Sequence, residues 1–505
     1  MSDPSHQRAP VAESDVAPQG QRATRSGRIR VVVLVAILVV AVGIAVANRS
    51  LHRSAPAAAP PVPISTVAPA GVESSAWYCA GGTSTPGSTG TTTVNLVNTT
   101  SHAVDGTLSA VADTGPTKTV AIVVPALSQI IEVPGPLVGG NLVATTIDLD
   151  GGGVLATESV AGPLGWSETA CSRSTASQWY FASGSTINGN TLTLSLYNPT
   201  TTDAVVDMTF ITPAGVVQPQ PFEGIVVAPG ALVIEHIDAY VQDDSSVSSI
   251  VQARTGAVVA AELETEASGD VRGLSVRLGA PALLPTWSLP NSIDISGGTT
   301  SITVFNPSGS TDRVDVTVGL GAAPPARFTD TVGPRSAWVF DTSAQTRIPA
   351  GVTFVATVVV RSGPGVVVDR TVQAPGPLPG FGATTGLAVG PAVAASSVSV
   401  ISGPGTSTYP TVPRALPADL SLVNPGPTPL GATLWALAGA EGRLEVGRVT
   451  VPAHSAITLG ETALSGAGWW PLVVSADHPV LAIEDLAPAQ GAGVVSLAGA
   501  GATDP

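Results

Sequence analysis

Residues that commonly carry chemistry are scarce in this sequence of 505 residues. Cysteine occurs twice, histidine six times and lysine once, as Lys118, and aromatic residues make up only 4% of the chain. The patterns HExxH, Cys-x-x-Cys, GxSxG and Ser-x-x-Lys are all absent, so no metalloprotease, dithiol or serine-nucleophile motif is recognisable. We therefore predict a protein that is not an enzyme, with no catalytic residue, no metal site and no cofactor.

Positive charge is scarce as well. The chain has 21 lysine and arginine residues against 36 acidic ones, which gives a net charge of −15. A surface this acidic repels phosphate backbones, and we therefore expect no nucleic-acid partner.

Only one apolar run, residues 31–47, is long enough to cross a membrane. The run is predicted to be a single transmembrane helix over 31–47. Because arginines precede it, the positive-inside rule places the N-terminus in the cytoplasm and the remainder of the chain outside it. The polar residues 1–26 are predicted to be a disordered cytoplasmic tail. The Pro/Ala-rich stretch 48–71 is predicted to be a stiff spacer beyond the membrane. The alternative is a signal peptide cleaved after Ala45-Val46-Ala47, which would make the protein secreted. The flanking arginines are Arg22, Arg25, Arg28 and Arg30.

Beyond the spacer, a motif recurs four times at intervals of roughly a hundred residues. An apolar alternation ends in asparagine, usually followed by proline, which is typical of a strand running into a turn. An apolar–Pro–apolar mark follows about thirty residues later, and then a strand that ends in a charged residue. The turn asparagines are Asn98, Asn198, Asn306 and Asn424, and the charged residues are Glu158, Glu262, Arg370 and Glu484.

These repeats predict an all-β fold. Gly and Pro separate about seven or eight short apolar runs in the second repeat. This is typical of an immunoglobulin-like β-sandwich, so we predict about four such sandwiches in tandem, following the transmembrane helix. A β-propeller is the alternative, because each repeat could supply two blades. The predicted repeats span residues 72–172, 173–280, 281–385 and 386–500. We expect an extended array with a separate core in each repeat.

Cys79 and Cys171 lie near the two ends of the first repeat, on the side of the membrane where disulfides persist. We predict that they form a disulfide. A metal pair or two free thiols are the alternatives.

The remaining candidate site residues are charged or aromatic. Glu158, Glu262 and Glu484 could form a set of carboxylates, but they recur once in each repeat, and separate domains need not bring them together. We interpret them as structural groups at strand ends. Trp469 and Trp470 could form an exposed surface on which a glycan stacks, and Trp338 is a further candidate. His236, His454 and His478 are scattered along the exported part of the chain.

The apolar segment, the Pro/Ala spacer, Trp77-Tyr78-Cys79 and the Asn-Pro repeat together resemble an actinobacterial family of secreted or membrane-anchored proteins known only as a domain of unknown function. The resemblance implies a location in the cell envelope and no enzymatic role. Our leading hypothesis is a non-enzymatic, membrane-anchored envelope protein that scaffolds or binds other envelope components. The alternatives are an accessory protein of cell-wall polysaccharide handling with a weak glycan-binding face, and an enzyme with an unrecognised site.

Overall fold

A computed structural model describes the chain over residues 66–83, 90–187, 189–267, 271–292, 299–320, 323–349, 354–374, 380–385, 387–388, 398–401, 415–424, 426–453, 455–464, 470–488, 495–498 and 500–502. The chain divides into two compact units, Met1–Pro61 and Val62–Pro505, and every described residue belongs to the second. Within these ranges no helix has the length and hydropathy that a membrane span requires. The predicted tail, the predicted transmembrane segment 31–47 and most of the spacer lie outside the described residues.

The first half of the second unit contains two pairs of sheets. The first pair comprises β1 (Ser75–Thr83), β2 (Thr91–Asn98), β3 (Val104–Ala112), β4 (Lys118–Val124), β5 (Ser128–Glu132), β6 (Leu142–Leu149), β7 (Val154–Gly162) and β8 (Gly165–Ala170). The second comprises β9 (Gln178–Phe181), β10 (Thr191–Tyr197), β11 (Ala204–Thr212), β12 (Gly215–Val217), β13 (Ile225–Val227), β14 (Leu232–His236), β15 (Ser248–Thr255), β16 (Val259–Glu266) and β17 (Gly273–Leu278).

The second half repeats this arrangement. The third pair comprises β18 (Thr286–Ser292), β19 (Thr299–Asn306), β20 (Asp312–Leu320), β21 (Ala323–Val332), β22 (Ser336–Asp341), β23 (Phe354–Ser362), β24 (Val367–Ala374), β25 (Gly380–Thr385) and β26 (Leu387–Ala388). The fourth comprises β27 (Val398–Ile401), β28 (Ala415–Asn424), β29 (Leu430–Leu437), β30 (Arg443–Val451), β31 (Ser455–Gly460), β32 (Leu472–Ala476), β33 (Leu481–Pro488), β34 (Val495–Ala498) and β35 (Ala500–Ala502). Short helical segments lie at Gly135–Leu137, Gln220–Phe222, Ile237–Ala239, Gly439–Glu441 and, as the α-helix α1, Glu461–Leu464.

All four pairs share one strand order. In the first pair one sheet runs β1-β6-β3-β4 and the other β5-β2-β7-β8, and the corresponding orders return in each later pair. Chain neighbours therefore cross repeatedly between the two sheets. A propeller blade is built from consecutive strands, whereas none of the eight sheets in the described residues is. β26 pairs with β18, so the third pair extends to Ala388, three residues beyond the predicted end of that repeat at residue 385.

The two sheets of each pair face each other across an apolar core, and we call each pair a sandwich, numbered 1 to 4 in chain order. In sandwich 1, Leu108 and Ile147 from one sheet and Leu96 and Ala156 from the other are fully buried in one cluster. An indole marks this core in three sandwiches. Trp77, Trp179 and Trp287 are buried, and their Nε1–H groups donate to the carbonyl oxygens of Val154, Val258 and Val366, respectively.

The four turn asparagines are buried and make the same set of hydrogen bonds. The Asn198 side-chain amide donates to the carbonyl oxygens of Thr202 and Val227, each at 2.8 Å, and its Oδ1 accepts from the backbone N–H of Thr200 at 3.0 Å. Burying these three backbone groups without hydrogen-bond partners would be costly. The single asparagine side chain supplies the partners that the strand pairing does not. Asn98, Asn306 and Asn424 bond in the same way.

The sandwiches are not an extended array with separate cores. The last strands of the second sheets contact one another in a cycle: β8 contacts β17, β17 contacts β25, β25 contacts β34, and β34 contacts β8. The cores are shared too, because Ala80 and Val160 of sandwich 1 lie in the cluster of sandwich 2, and Leu437 and Val473 of sandwich 4 lie in the cluster of sandwich 1. Each sandwich therefore contacts two others through the last strand of its second sheet.

Polar contacts reinforce this cycle. β8 places the hydroxyls of Ser167 and Thr169 where they accept the backbone N–H groups of Val276 and Leu278 of β17, at 2.9 and 3.2 Å. Such bonds satisfy groups that an edge strand would otherwise leave unpaired. Sandwich 4 reaches sandwich 1 through the N–H of Gly439, which donates to the carbonyl oxygen of Leu127 at 2.7 Å, and through the Arg443 guanidinium, which donates to the carbonyl oxygen of Thr99 at 3.1 Å.

Candidate functional site

The largest group of interacting charges in the described residues is buried between sandwiches 2 and 3. Strand β16 alternates Glu262, Leu263 and Glu264, and all eight of its residues are buried. Leu263 lies in the apolar cluster of sandwich 2, so the two glutamates project from the opposite face. That face is covered by neighbouring protein rather than by solvent.

Arg277 on β17 is the only cation of this cluster, and just 2% of its side chain is exposed. Its guanidinium donates to Glu262, to Asp369 at 3.1 Å and to Glu264 at 3.4 Å. It also donates to the hydroxyl of Ser183 and to the Ser183 carbonyl oxygen, the latter at 2.8 Å. One guanidinium therefore faces three carboxylates.

Asp369 brings sandwich 3 into the cluster. It lies on β24, and its Oδ2 accepts the backbone N–H groups of Ala182 and Ser183 of sandwich 2, each at 2.9 Å. A second bridge lies nearby, where the amide of Gln373 donates to the Glu266 carboxylate at 2.8 Å. The bonds of Asp369 fix the segment that follows β9 against β24, and the cluster acts as an electrostatic link between the two sandwiches.

A polar cavity of about 120 Å³ adjoins the cluster. Glu264 lines it together with the hydroxyl groups of Ser185, Ser246 and Thr303 and with Gln373. A cavity of this size and polarity can hold a few water molecules. The described residues contain no group of three or more His, Cys, Asp or Glu side chains arranged to hold a metal ion.

Burial decides the protonation of these carboxyl groups. It raises the pKa of Glu262 to about 7 even though Arg277 lowers it. It raises the pKa of Glu264 to about 8, against the effect of Arg277 and with additional repulsion from Glu262 and Glu266. Burial alone would lower the pKa of Arg277, but the surrounding carboxylates reverse this and raise it. The cluster therefore holds protons near neutral pH that the same glutamates release in the unfolded chain.

These shifts predict that the protein is more stable at pH 5 than at pH 8. The folded-state pKa values lie above the ordinary 4.5, so the stabilisation is complete below pH 4.5 and is lost as pH rises through about 7 to 8. Each group contributes a slope of at most about 1.4 kcal/mol per pH unit. Urea unfolding at both pH values should show this loss, and Glu264→Gln should reduce it.

Glu445→Gln is the matched control. Arg448 lowers the pKa of this surface carboxyl, so its contribution to the pH dependence of stability is confined to pH values below 4.5. An equal loss of stability between pH 5 and 8 in Glu264→Gln and in the unmodified protein would contradict the assignment.

The structure places the predicted repeat carboxylates at corresponding positions of their sandwiches, and the two whose side chains are described, Glu158 and Glu262, do not bond to each other. Glu158 is buried in sandwich 1, where its Oε2 accepts the Gly81 N–H at 2.9 Å, and burial raises its pKa to about 7. Gly81 is required here because a Cβ at this position would lie 2.3 Å from Val276 of sandwich 2. Arg370 is buried, and the side chain of Glu484 lies outside the described residues. Among the predicted carboxylates whose side chains the structure describes, Glu262 alone joins the charge cluster.

Cys79 and Cys171 form a disulfide that joins β1 to the segment after β8, across 92 residues of sequence. Both sulfur-bearing residues are buried in the core of sandwich 1. The cross-link therefore ties together the beginning and the end of that sandwich.

The other predicted candidates do not converge. His236 on β14 is exposed, and its Nδ1 lies 3.4 Å from the hydroxyl of Thr193. His478 is exposed beside Asp477, at 2.9 Å. Trp470 is 37% exposed, whereas its predicted partner Trp469 and also His454 lie outside the described residues.

Trp338, by contrast, lies in an open groove of sandwich 3. The groove has a volume of about 410 Å³ and lies between the neighbouring edge strands β21 and β22. The Phe328 and Phe340 rings are 4.6 Å apart, and the Trp338 and Phe340 rings are 5.4 Å apart. The Arg347 guanidinium stacks over Phe328, 4.0 Å from the ring centroid. Aromatic faces and guanidinium groups thus line an accessible concave surface, which we call the aromatic groove.

Residues 151–323 match a protein-family model. It is described as a family of unknown function, DUF5719. The matched range begins in sandwich 1 and ends in sandwich 3, so it includes Glu262, Glu264 and Arg277 but neither Asp369 nor Trp338. No curated protein matches the chain.

Two solved structures illustrate how far the structural similarity extends. A crystal structure titled Thermotoga maritima 1070 is 12% identical to this chain and has a TM-score of 0.19. The match covers 21% of this chain and 95% of the chain in that structure. A tetra-tandem repeat from the extending region of a large adhesion protein is 13% identical to this chain and has a TM-score of 0.09. The match covers 82% of this chain and 96% of the repeat structure. Similarities this weak carry no argument about function.

Proposed function

We propose that this protein is a non-enzymatic component of the cell envelope, anchored by residues 31–47, whose exported part is a rigid platform for binding or scaffolding. The observation that carries the proposal is the cycle of contacts β8–β17–β25–β34 among four sandwiches with shared cores. We interpret each sandwich as immunoglobulin-like. Such a platform presents large outer surfaces with little relative motion of its parts, as a scaffold requires.

The chemistry of the interior supports a structural role for the charged residues. Arg277, Glu262 and Asp369 are each at most 2% exposed, and they bond to one another and to backbone amides across the interface. The described side chains of these three residues are almost inaccessible to solvent, which is unfavourable for binding a substrate. Their arrangement serves cohesion between sandwiches, which agrees with a protein that binds rather than transforms.

The disulfide supports export. Disulfides persist in oxidising compartments and are rare in the cytosol, and Cys79–Cys171 is buried within the first sandwich. Export is also what the arginine-flanked apolar segment 31–47 predicts.

The alternative of a glycan-binding accessory protein is favoured by one specific observation, the aromatic groove. Its volume lies within the range of about 300–1,000 Å³ that is typical of small-ligand sites. Exposed aromatic rings beside hydrogen-bond donors are suited to stacking on sugar rings. This function is compatible with a platform, because the groove would then be one of the surfaces that the platform presents.

Binding to isolated cell envelopes tests the proposal. We expect the purified protein to bind envelope fragments saturably, and removal of residues 281–385 to abolish binding, because the deletion opens the cycle and removes the groove. His236→Ala and His478→Ala, at exposed histidines, should leave binding unchanged. Equal binding by the deletion variant would refute the platform. Loss of binding in either histidine variant, with an unchanged thermal midpoint, would indicate a localised site at that histidine and contradict the platform.

A further inference from the structure

We propose that the aromatic groove of sandwich 3 is a binding site for an anionic polysaccharide, with Trp338 stacking on a sugar ring and Arg347 binding its carboxylate. This inference rests on the glycan-binding form of the proposed function and specifies its ligand class. It depends on three properties of the groove: the position of its aromatic rings, the state of its arginines, and the balance of donors and acceptors on its walls.

The aromatic rings are held in place by the fold. Phe340 is buried with 4% exposure in the core of sandwich 3, and Phe328 and Trp338 pack against that core while remaining partly exposed. Phe340 contacts both of the other rings, so it fixes their positions. Stacking platforms of this kind bind with little loss of side-chain freedom, because aromatic residues have few rotatable bonds.

The arginines of the groove are available to a ligand. Arg327 and Arg347 are exposed, and neither forms an ion pair or hydrogen bond within the part of the chain that the structure describes. The stacking of Arg347 over Phe328 orients the plane of its guanidinium and leaves the N–H groups at its rim free to donate. A planar, oriented guanidinium binds a carboxylate through two parallel hydrogen bonds.

The acid that lines the groove, Asp341, is engaged through one of its two carboxylate oxygens by its own turn. Asp341 Oδ1 accepts from the backbone N–H and the hydroxyl of Ser343, at 2.9 and 2.5 Å, and from the Ala344 N–H at 3.3 Å. The Thr329 hydroxyl donates to Asp315 at 2.7 Å. Two exposed guanidiniums thus outweigh one partly engaged carboxylate along the groove, in a chain whose net charge is −15. Charge complementarity favours an acidic ligand.

Isothermal titration of the purified full-length protein tests the inference. The probe is a tetrasaccharide of hexuronic acid, and the comparison ligand is the same tetrasaccharide with its carboxyl groups reduced to alcohols. We expect the acidic probe to bind at least tenfold more tightly than the reduced one. Raising sodium chloride from 50 to 500 mM should weaken the acidic probe severalfold, because exposed ion pairs are screened.

The variants separate the two contacts. Arg347→Ala should weaken the acidic probe about tenfold and leave the reduced one within about twofold, whereas Trp338→Ala should weaken both about tenfold and Trp338→Phe should retain most of the affinity. Arg313→Ala and Tyr240→Ala are matched controls, because both residues are exposed and lie outside the groove. Arg347 is exposed, so its variant folds even if Trp338→Ala does not.

Each result discriminates. Equal affinity for the acidic and reduced probes, lost in Trp338→Ala, would overturn the anionic specificity while leaving glycan binding intact. Binding of the acidic probe that survives both Trp338→Ala and Arg347→Ala would place the site elsewhere and overturn the inference. No binding of either probe to the unmodified protein would overturn it together with the glycan-binding function, while the envelope-binding experiment would still test the platform.

Discussion

Arg277→Met should destabilise the protein by about 3–5 kcal/mol at pH 7, because it leaves Glu262, Glu264 and Asp369 buried without their cation. Removal of one partner of a buried ion pair is far more damaging than replacement of the whole group. Adding Glu262→Gln and Glu264→Gln to Arg277→Met should therefore recover part of the loss. Urea unfolding followed by tryptophan fluorescence measures both changes.

The matched control for this substitution is Arg254→Met. Arg254 also pairs with a carboxylate, Asp207 at 2.5 Å, but its side chain is 54% exposed. Surface pairs of this kind are worth about 0–1 kcal/mol. If the Arg277 and Arg254 variants lost similar amounts of stability, the buried cluster would not link sandwiches 2 and 3 as we describe.

Loss of the disulfide should have an effect of comparable size. The Cys79–Cys171 cross-link spans 92 residues, and the chain-entropy model assigns a loop of that length about 4–5 kcal/mol. We expect Cys79→Ser with Cys171→Ser to lower the free energy of unfolding by this order. The sequence alone predicts that the damage stays within the first repeat.

The shared cores change that last expectation. Since Ala80 and Val160 lie in the cluster of sandwich 2, amide hydrogen exchange in β16 and β17 should also accelerate in the double serine variant. Asp105→Ala, an exposed change on β3, serves as the control for exchange. Acceleration confined to residues 75–170 would show that sandwich 1 is energetically independent.

Much of the fold could be predicted from particular residues. The asparagines at positions 98, 198, 306 and 424 recur because each ends a strand and satisfies the same backbone groups, which is a local requirement that leaves a mark in the sequence. The recurring Trp reflects a single hydrogen bond in the core. Local geometry of this kind gives a period, and the period indicates the number of sandwiches.

The relations between sandwiches could not be predicted in the same way. Alternation in β16 correctly separates Leu263 from Glu262 and Glu264, but a polar face next to solvent and a polar face next to another domain have the same pattern. Asp369, which completes the cluster, lies 92 residues beyond Arg277, and nothing in the sequence pairs them. The one indication in the sequence is the recurring charged position of the repeat, which in the third repeat is Arg370, next to Asp369.

The aromatic groove could not be predicted from the sequence for a similar reason. Trp338 is a candidate on its own, but Phe328 lies on a different strand, and Arg347 follows after a turn. The three converge only when β21 and β22 lie at neighbouring edges of two facing sheets.

Chemical cross-linking between sandwiches 1 and 4 tests the closed cycle most directly. Leu127 and Gly439 are 312 positions apart, yet the Gly439 N–H donates to the Leu127 carbonyl oxygen at 2.7 Å. With Leu127→Cys and Gly439→Cys, a short thiol-specific cross-linker should join the two positions in the native protein and not in urea. Ser109→Cys with Thr119→Cys, neighbours within one hairpin, is the positive control. Linkage of the control pair without any 127–439 linkage in the native protein would contradict the cycle.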